Sequence, residues 1–194
     1  MPIKLDEIEG ATPLDPNEID GLIPSYIATQ GQLNAAEQAN IADARVWAMG
    51  RNHGDVLNDA FIRDLHKRMF KDVWRWAGTY RKTEKNIGVD PRQVAIQVRE
   101  LCKDTAHWIQ NQTYPWDEIG VRFHHRLVLI HPFPSGNGRH ARLLTDVLMN
   151  VHRQPMFTWG GNADDARKRY LVALKAADRN ELTELLKFVR STDG

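Results

Sequence analysis

The 194-residue chain contains one cysteine, Cys102, so no intrachain disulfide can form; that fits a reducing compartment. It carries almost no net charge: 26 Lys and Arg against 25 Asp and Glu give +1, and no global field draws it to nucleic acid or anionic lipid. Long apolar runs are missing, and nothing approaches the ~18–20 residues of a membrane span. The first residues, MPIKLDEIEGATPLDP, place acids and prolines where a leader peptide needs a basic region and an apolar run. Internal repeats, low-complexity tracts, His-Glu-x-x-His and Cys-x-x-Cys are all absent. These absences describe a soluble, cytoplasmic protein with no membrane partner and nucleic acid an unlikely one. Its 42% hydrophobic content is enough for one core.

What is present is mostly helical periodicity. Residues 1–33, rich in Pro, Gly and Asp, are expected as an extended arm over the surface, and 34–194 as one helical domain. A helix is expected from Asn34, with Glu37 at its third position, through Met49. Further helices are expected over 56–70, 91–111, 116–130, 137–152, 163–177 and 180–190. Between the second and third, Trp74, Trp76 and Tyr80 precede TEKNIGVDP, whose Asn, Gly and Pro punctuation predicts a hairpin or exposed loop. The fold class is mainly α with one small β-hairpin.

The chemistry concentrates in HPFPSGNGRHAR, residues 131–142. If a helix starts there, its first N–H groups have no intrahelical partner and the positive end of its dipole lies behind them. Gly136 and Gly138 permit positive φ and close approach of a ligand, an arrangement suited to phosphate. Arg139 and Arg142, three apart, present guanidinium forks from neighbouring turns. Asn137 can donate to an anion, and His131 is a base able to act near neutral pH. Each residue alone fits a tight turn or a surface ion pair; together they describe a polyphosphate site with a base beside it. His124, His125, His131 and His140 crowd one region, yet no carboxylate partner stands at metal-ligand spacing, and core or polar helix positions account for most of them.

The stretch resembles the signature of the Fic/Doc family, His-x-Phe-x-(Asp/Glu)-Gly-Asn-Gly-Arg-x-x-Arg. His131, Phe133, Gly136, Asn137, Gly138, Arg139 and Arg142 match, and Ser135 does not. WAGTYR before the hairpin and KAADRNELTELLKF near the end resemble flanking segments of the family, so the likeness covers about residues 34–190. The arm, the EQANI helix and TEKNIGV are most similar to the branch called mobile mystery protein B. The resemblance implies a Fic-type helical bundle that moves AMP from ATP to a Ser, Thr or Tyr hydroxyl of a target protein. It implies His131 as the base and Phe133 as the loop's anchor. Ser135, Gly136, Asn137, Gly138, Arg139 and Arg142 would contact the nucleotide, and a flap near 79–89 would hold the target by strand addition.

In the family, position 135 is a carboxylate for Mg²⁺ (or Mn²⁺) on the phosphates. Ser135 offers a short neutral oxygen, which puts metal binding in doubt and leaves the metal ligands unknown. Many members of the family are held off by a Glu on a Ser/Thr-x-x-x-Glu-Gly/Asn helix that pairs with the second motif arginine. Glu37 is the candidate here, expected on Arg142, although Leu33 and Gln38 break the pattern. The alternatives are a Doc-like phosphotransferase, disfavoured by the intact Gly138 and Arg139, and a non-catalytic nucleotide- or protein-binding module.

Overall fold

The computed structural model describes residues 13–50, 53–161 and 165–192. It contains eight α-helices and, among the described residues, no strand. They are α1 (Pro16–Ile19), α2 (Gln30–Met49), α3 (Asp59–Phe70), α4 (Val94–Gln110), α5 (Trp116–Ile130), α6 (Asn137–Val151), α7 (Ala166–Ala177) and α8 (Thr183–Arg190). No helix among them is long and apolar enough to cross a membrane. Residues 1–12 of the expected arm lie outside the described residues.

α5 and α6 form the centre. α5 buries Val121, Phe123, Leu127 and Ile130, and α6 buries Leu144, Val147 and Leu148, so each is apolar well beyond one stripe. One core cluster joins them to α2, α3 and α4 through Leu33, Ile62, Leu65, Phe70, Val98 and Leu101. A second lies on their other side, where Tyr170, Leu185 and Phe188 of α7 and α8 meet Val121 and Met149. The corner between α5 and α6 is therefore clamped from both sides.

Two expectations change. α2 begins at Gln30 and not at Asn34, because Thr29 caps it: the Thr29 hydroxyl accepts from the Gln32 N–H at 3.2 Å, and Gln32 Oε1 accepts from the Thr29 N–H at 3.1 Å. Glu37 is thus two turns inside the helix, and the last residues of the expected arm are helical. The 79–89 segment is irregular and not a ladder. Its stems bond to the α5 exit and not to each other: Arg81 N–H donates to the Pro132 carbonyl at 2.9 Å and Val89 N–H to Ile130 at 3.4 Å. The Arg81 guanidinium fills the loop, donating to the carbonyls of His131 (2.6 Å), Thr83 (2.9 Å) and Val89. A side chain has taken the place of cross-strand pairing.

The described part of the arm runs against this loop. Leu22 makes an isolated antiparallel bridge to Trp74, and Ile23 N–H donates to the Val73 carbonyl at 2.8 Å. At the loop's tip, Lys85 Nζ, with its side chain 3% exposed, lies 2.9 Å from Asp15 and 2.5 Å from Glu18. Thr83 donates to the same Asp15 at 2.7 Å.

Candidate functional site

The site is built on the α5–α6 corner. α5 stops at Ile130 because Pro132 disfavours helical backbone at the residue before it. His131 therefore caps the helix in the left-handed region, φ 52° and ψ 61°, uncommon for a residue with a Cβ. The surroundings hold it there. Its N–H donates to Leu127 at 3.2 Å, its carbonyl takes the Arg81 Nε–H, and Gly88 crosses over its Cβ. A side chain at 88 would come within 2.8 Å of that Cβ, so Gly88 is what lets the 79–89 loop cover His131. Burial, then the nearby Arg81 charge, push the His131 imidazole down to about 4 from its ordinary 6.5, so the ring is neutral at physiological pH.

Phe133 is fully buried, stacked on His66 with ring centroids 3.7 Å apart and edge-on to His140 at 5.0 Å. Its backbone is bracketed by one side chain: Asn137 Oδ1 accepts from the Phe133 N–H at 2.9 Å, and Asn137 Nδ2 donates to the Phe133 carbonyl at 2.8 Å. Asn137, read from the sequence as a phosphate contact, thus spends its amide bracing the loop. The amide's one donor edge and one acceptor edge match the two backbone groups offered four residues earlier.

The loop turns at Gly136, with φ 78° and ψ 1°, where a Cβ would lie 2.4 Å from the Phe70 ring. Glycine is required there twice over, by conformation and by space. Gly138 differs: a Cβ there would meet only Tyr170 Oη, at 3.8 Å. The first-turn N–H groups of Asn137, Gly138 and Arg139 take no partner among the described residues, and no side chain caps the helix. Ser135 turns its carbonyl inward to the Nε2–H of His66 at 3.1 Å. His66 also accepts at Nδ1 from the Gly78 N–H at 3.0 Å, so one neutral imidazole ties the turn before the 79–89 loop to the glycine loop. The sequence reading singled out neither Arg81 nor His66. WAGTYR ends on that arginine, but nothing in local spacing says that its guanidinium serves the backbone fifty residues away.

Glu37 reaches the site, with a different partner from the one expected. It is 5% exposed, accepts from Trp74 Nε1 at 2.7 Å, and pairs with Arg139 at 2.6 Å instead of Arg142. With α2 starting at Gln30, Glu37 meets the first turn of α6. Two turns on, Arg45 of α2 meets Asp146 of α6 at 3.3 Å, so the helices lie side by side in the same direction. Arg142 falls between the two ion pairs, its guanidinium 5.2 Å over the Tyr170 ring.

Magnesium is poorly served here. Ser135 contributes a neutral hydroxyl, Glu37 is already bonded to Trp74 and Arg139, and no group of three or more His, Cys, Asp or Glu among the described residues could hold an ion. His124 (to Tyr170 Oη, 2.9 Å), His125 (to Asp178, 2.8 Å) and His140 (to the Ile62 carbonyl, 2.9 Å) are hydrogen-bonded helix residues.

Comparison with known proteins agrees with this geometry. Residues 56–149 match the Fic/DOC family. A protein adenylyltransferase of Caenorhabditis elegans, fic-1, is 26% identical over 73% of this chain, and the chain spans only 28% of that relative. A probable protein adenylyltransferase of Aquifex aeolicus is 23% identical over 98% of this chain and 55% of its own length. The fold is shared with the BepC effector of Bartonella tribocorum, a structure with bound AMPPNP, at a TM-score of 0.70, with 14% identity, 93% of this chain and 100% of that one covered. The Fic/DOC family match thus falls on residues 56–149, the segment that carries α3, α4, α5 and most of α6.

Proposed function

We propose that this protein transfers AMP from ATP to a hydroxyl group of a target protein. The observation that carries the reading is the junction at His131. A neutral imidazole lies between the 79–89 loop and a helix start with unpartnered N–H groups, with Arg139 and Arg142 on that helix. The α- and β-phosphates would lie on the first turn of α6, against Ser135, Gly136 and Gly138, with Arg139 and Arg142 neutralising charge. The target's Ser, Thr or Tyr oxygen attacks the α-phosphorus, the bond to the bridging oxygen breaks, pyrophosphate leaves, and His131 takes the hydroxyl proton. Gly138 supports this placement, since the fold leaves room for a side chain there and a nucleotide on the backbone would not.

The 79–89 loop, which carries the target in this reading, offers exposed backbone over His131. Glu37 is proposed as a restraint: its carboxylate occupies Arg139, which must turn to phosphate for transfer. Ser135 favours a second reading, a nucleotide-binding module without turnover.

The test is incubation with ATP labelled at the α- or the γ-phosphate, beside His131→Ala. Protein-bound α label that His131→Ala abolishes is the expected result. Label from the γ position alone would replace the reading by phosphotransfer, and bound ATP with neither label would support the binding module. Self-labelling of Glu37→Gly should exceed that of the wild type, and equal labelling removes the restraint from the account.

A further inference from the structure

Beside the Glu37–Arg139 pair is a cavity of about 190 Å³ between α2 and α6, and three arginines line it: Arg45, Arg139 and Arg142. Ile41 of α2 and the Trp159 indole help to close its walls. Two carboxylates compensate two of the three charges: Glu37 pairs with Arg139, and Asp146 with Arg45. No carboxylate among the described residues pairs with Arg142. Among the described residues the cavity lining thus has one more cation than it has ion pairs, and the Arg142 guanidinium sits between the two pairs that join α2 to α6, with Asp146 near enough to act on its charge.

Arg45 is placed for more than pairing. Its side chain is 52% exposed, and a single contact engages it, Nη1 to Asp146 Oδ2 at 3.3 Å; its other N–H donors have no acceptor among the described residues. Asp146, by contrast, is 2% exposed and fixed from the other side, its Oδ1 accepting from Trp159 Nε1 at 2.9 Å. A buried carboxylate held by an indole is a costly way to secure one weak surface ion pair. It is an effective way to aim a guanidinium at a neighbouring anion, because the ordering cost is met before the ligand arrives. The same chain of contacts, Trp159 to Asp146 to Arg45, brings the fork to the cavity that Arg142 lines.

We propose that Arg45 is a third phosphate-binding residue, oriented by Asp146 and Trp159, which together with Arg142 receives the terminal phosphate of a nucleoside triphosphate in this cavity. The proposal rests on the nucleotide reading of the glycine loop and adds a specificity to it: the protein distinguishes a triphosphate from a diphosphate through α2, at a point separate from the first turn of α6. Arg45 retains Asp146 while its free donors reach the phosphate, and the incoming charge settles the unpaired Arg142. Lysine at position 45 would keep the charge but lose the fork that meets carboxylate and phosphate at once.

The experiment is titration calorimetry of the whole chain with ATP and with ADP, in EDTA to prevent turnover, for the wild type, Arg45→Gln and Arg45→Lys. The wild type should prefer ATP. Arg45→Gln should lose about tenfold in ATP affinity while ADP affinity stays within about twofold, the size of one charge-assisted hydrogen bond removed. Arg45→Lys, which keeps the charge against Asp146 and guards against a folding defect, should retain part of the preference. The proposal is overturned if both substitutions keep the wild-type ratio, or if ATP and ADP weaken equally in both. If the wild type binds neither nucleotide, the reading of the glycine loop falls first and takes this one with it, a result distinct from either of the others.

Discussion

Lowering the pH from 7 to 5 should unfold much of this protein. His66, His124, His131 and His140 are buried, and all four are held below the ordinary 6.5: His124 at about 3, His131 and His140 at about 4, and His66 well below. Burial is the leading cause in each, reinforced by the His140 charge at His66, by Arg142 at His124 and by Arg81 at His131. Because the folded values are depressed, the unfolded chain binds these protons first. Their contribution is complete above pH 6.5, is lost as the pH falls, and levels off near pH 4, where the folded rings begin to protonate. At pH 5 an unfolded histidine is largely charged while its folded counterpart is neutral, a difference of about 2 kcal/mol per ring. His124, His131 and His140 together give roughly 6 kcal/mol, comparable with the ~5–15 kcal/mol of a whole domain, and His66 acts in the same direction. The raised carboxyl of Asp146 opposes them, since burial makes it take up a proton early in the folded state. Asp15 and Asp90 are lowered, by Thr83 with Lys85 and by Arg92, and weaken the fold only once the pH drops below the ordinary carboxylate range. Urea unfolding followed by tryptophan fluorescence at pH 7, 6 and 5 measures the slope. Three protons taken up on unfolding correspond to about 4 kcal/mol per pH unit near pH 5. A total change below ~1 kcal/mol between pH 7 and 5 would refute the claim that these rings are held neutral, and with it the neutral base at His131.

Further predictions address single contacts. Gly136→Ala should destabilise the fold by ~2–4 kcal/mol through its left-handed backbone and the Phe70 ring, whereas Gly138→Ala should leave the thermal midpoint nearly unchanged and weaken ATP binding in calorimetry. Trp74→Phe removes one of the two bonds holding Glu37; it should cost ~1 kcal/mol and raise self-labelling part of the way towards Glu37→Gly. Lys85→Met frees the tip of the 79–89 loop from Asp15 and Glu18, and trypsin should then cleave after Arg81 or Lys82 faster than in the wild type. Ser135→Asp should make ATP binding more dependent on Mg²⁺, and an unchanged dependence would count against the role given to that position.

The shape of the α5–α6 corner was legible because most of its causes are local. Pro132 ends α5, Gly136 can turn in the left-handed region, and Arg139 and Arg142 follow on consecutive turns, all within twelve consecutive residues; only the Phe70 ring that leaves no room for a Cβ at 136 comes from elsewhere. What went astray depended on register between distant segments. Asn34 with Glu37 and Thr29 with Gln32 both look like the start of a helix, and only the second pair makes the reciprocal bonds. That difference moves Glu37 from a capping position to the buried face of α2. It then meets Arg139, and Arg45 meets Asp146 one hundred and one residues away. The hairpin failed for a related reason. Asn, Gly and Pro mark a turn correctly, but pairing needs each stem's donors to find the other stem, and here the Arg81 side chain and the α5 exit satisfied them first. Asn137 adds a bond the sequence did not suggest: an amide in such a loop can serve a ligand or the loop, and here it returns four residues to the Phe133 backbone. The residues proposed to contact the nucleotide are thus local in sequence, while the proposed restraint and the proposed choice of terminal phosphate depend on how α2 lies along α6. Substitutions within 131–142 should therefore impair binding itself, and substitutions along Glu37, Ile41 and Arg45 should change which nucleotide is bound and when.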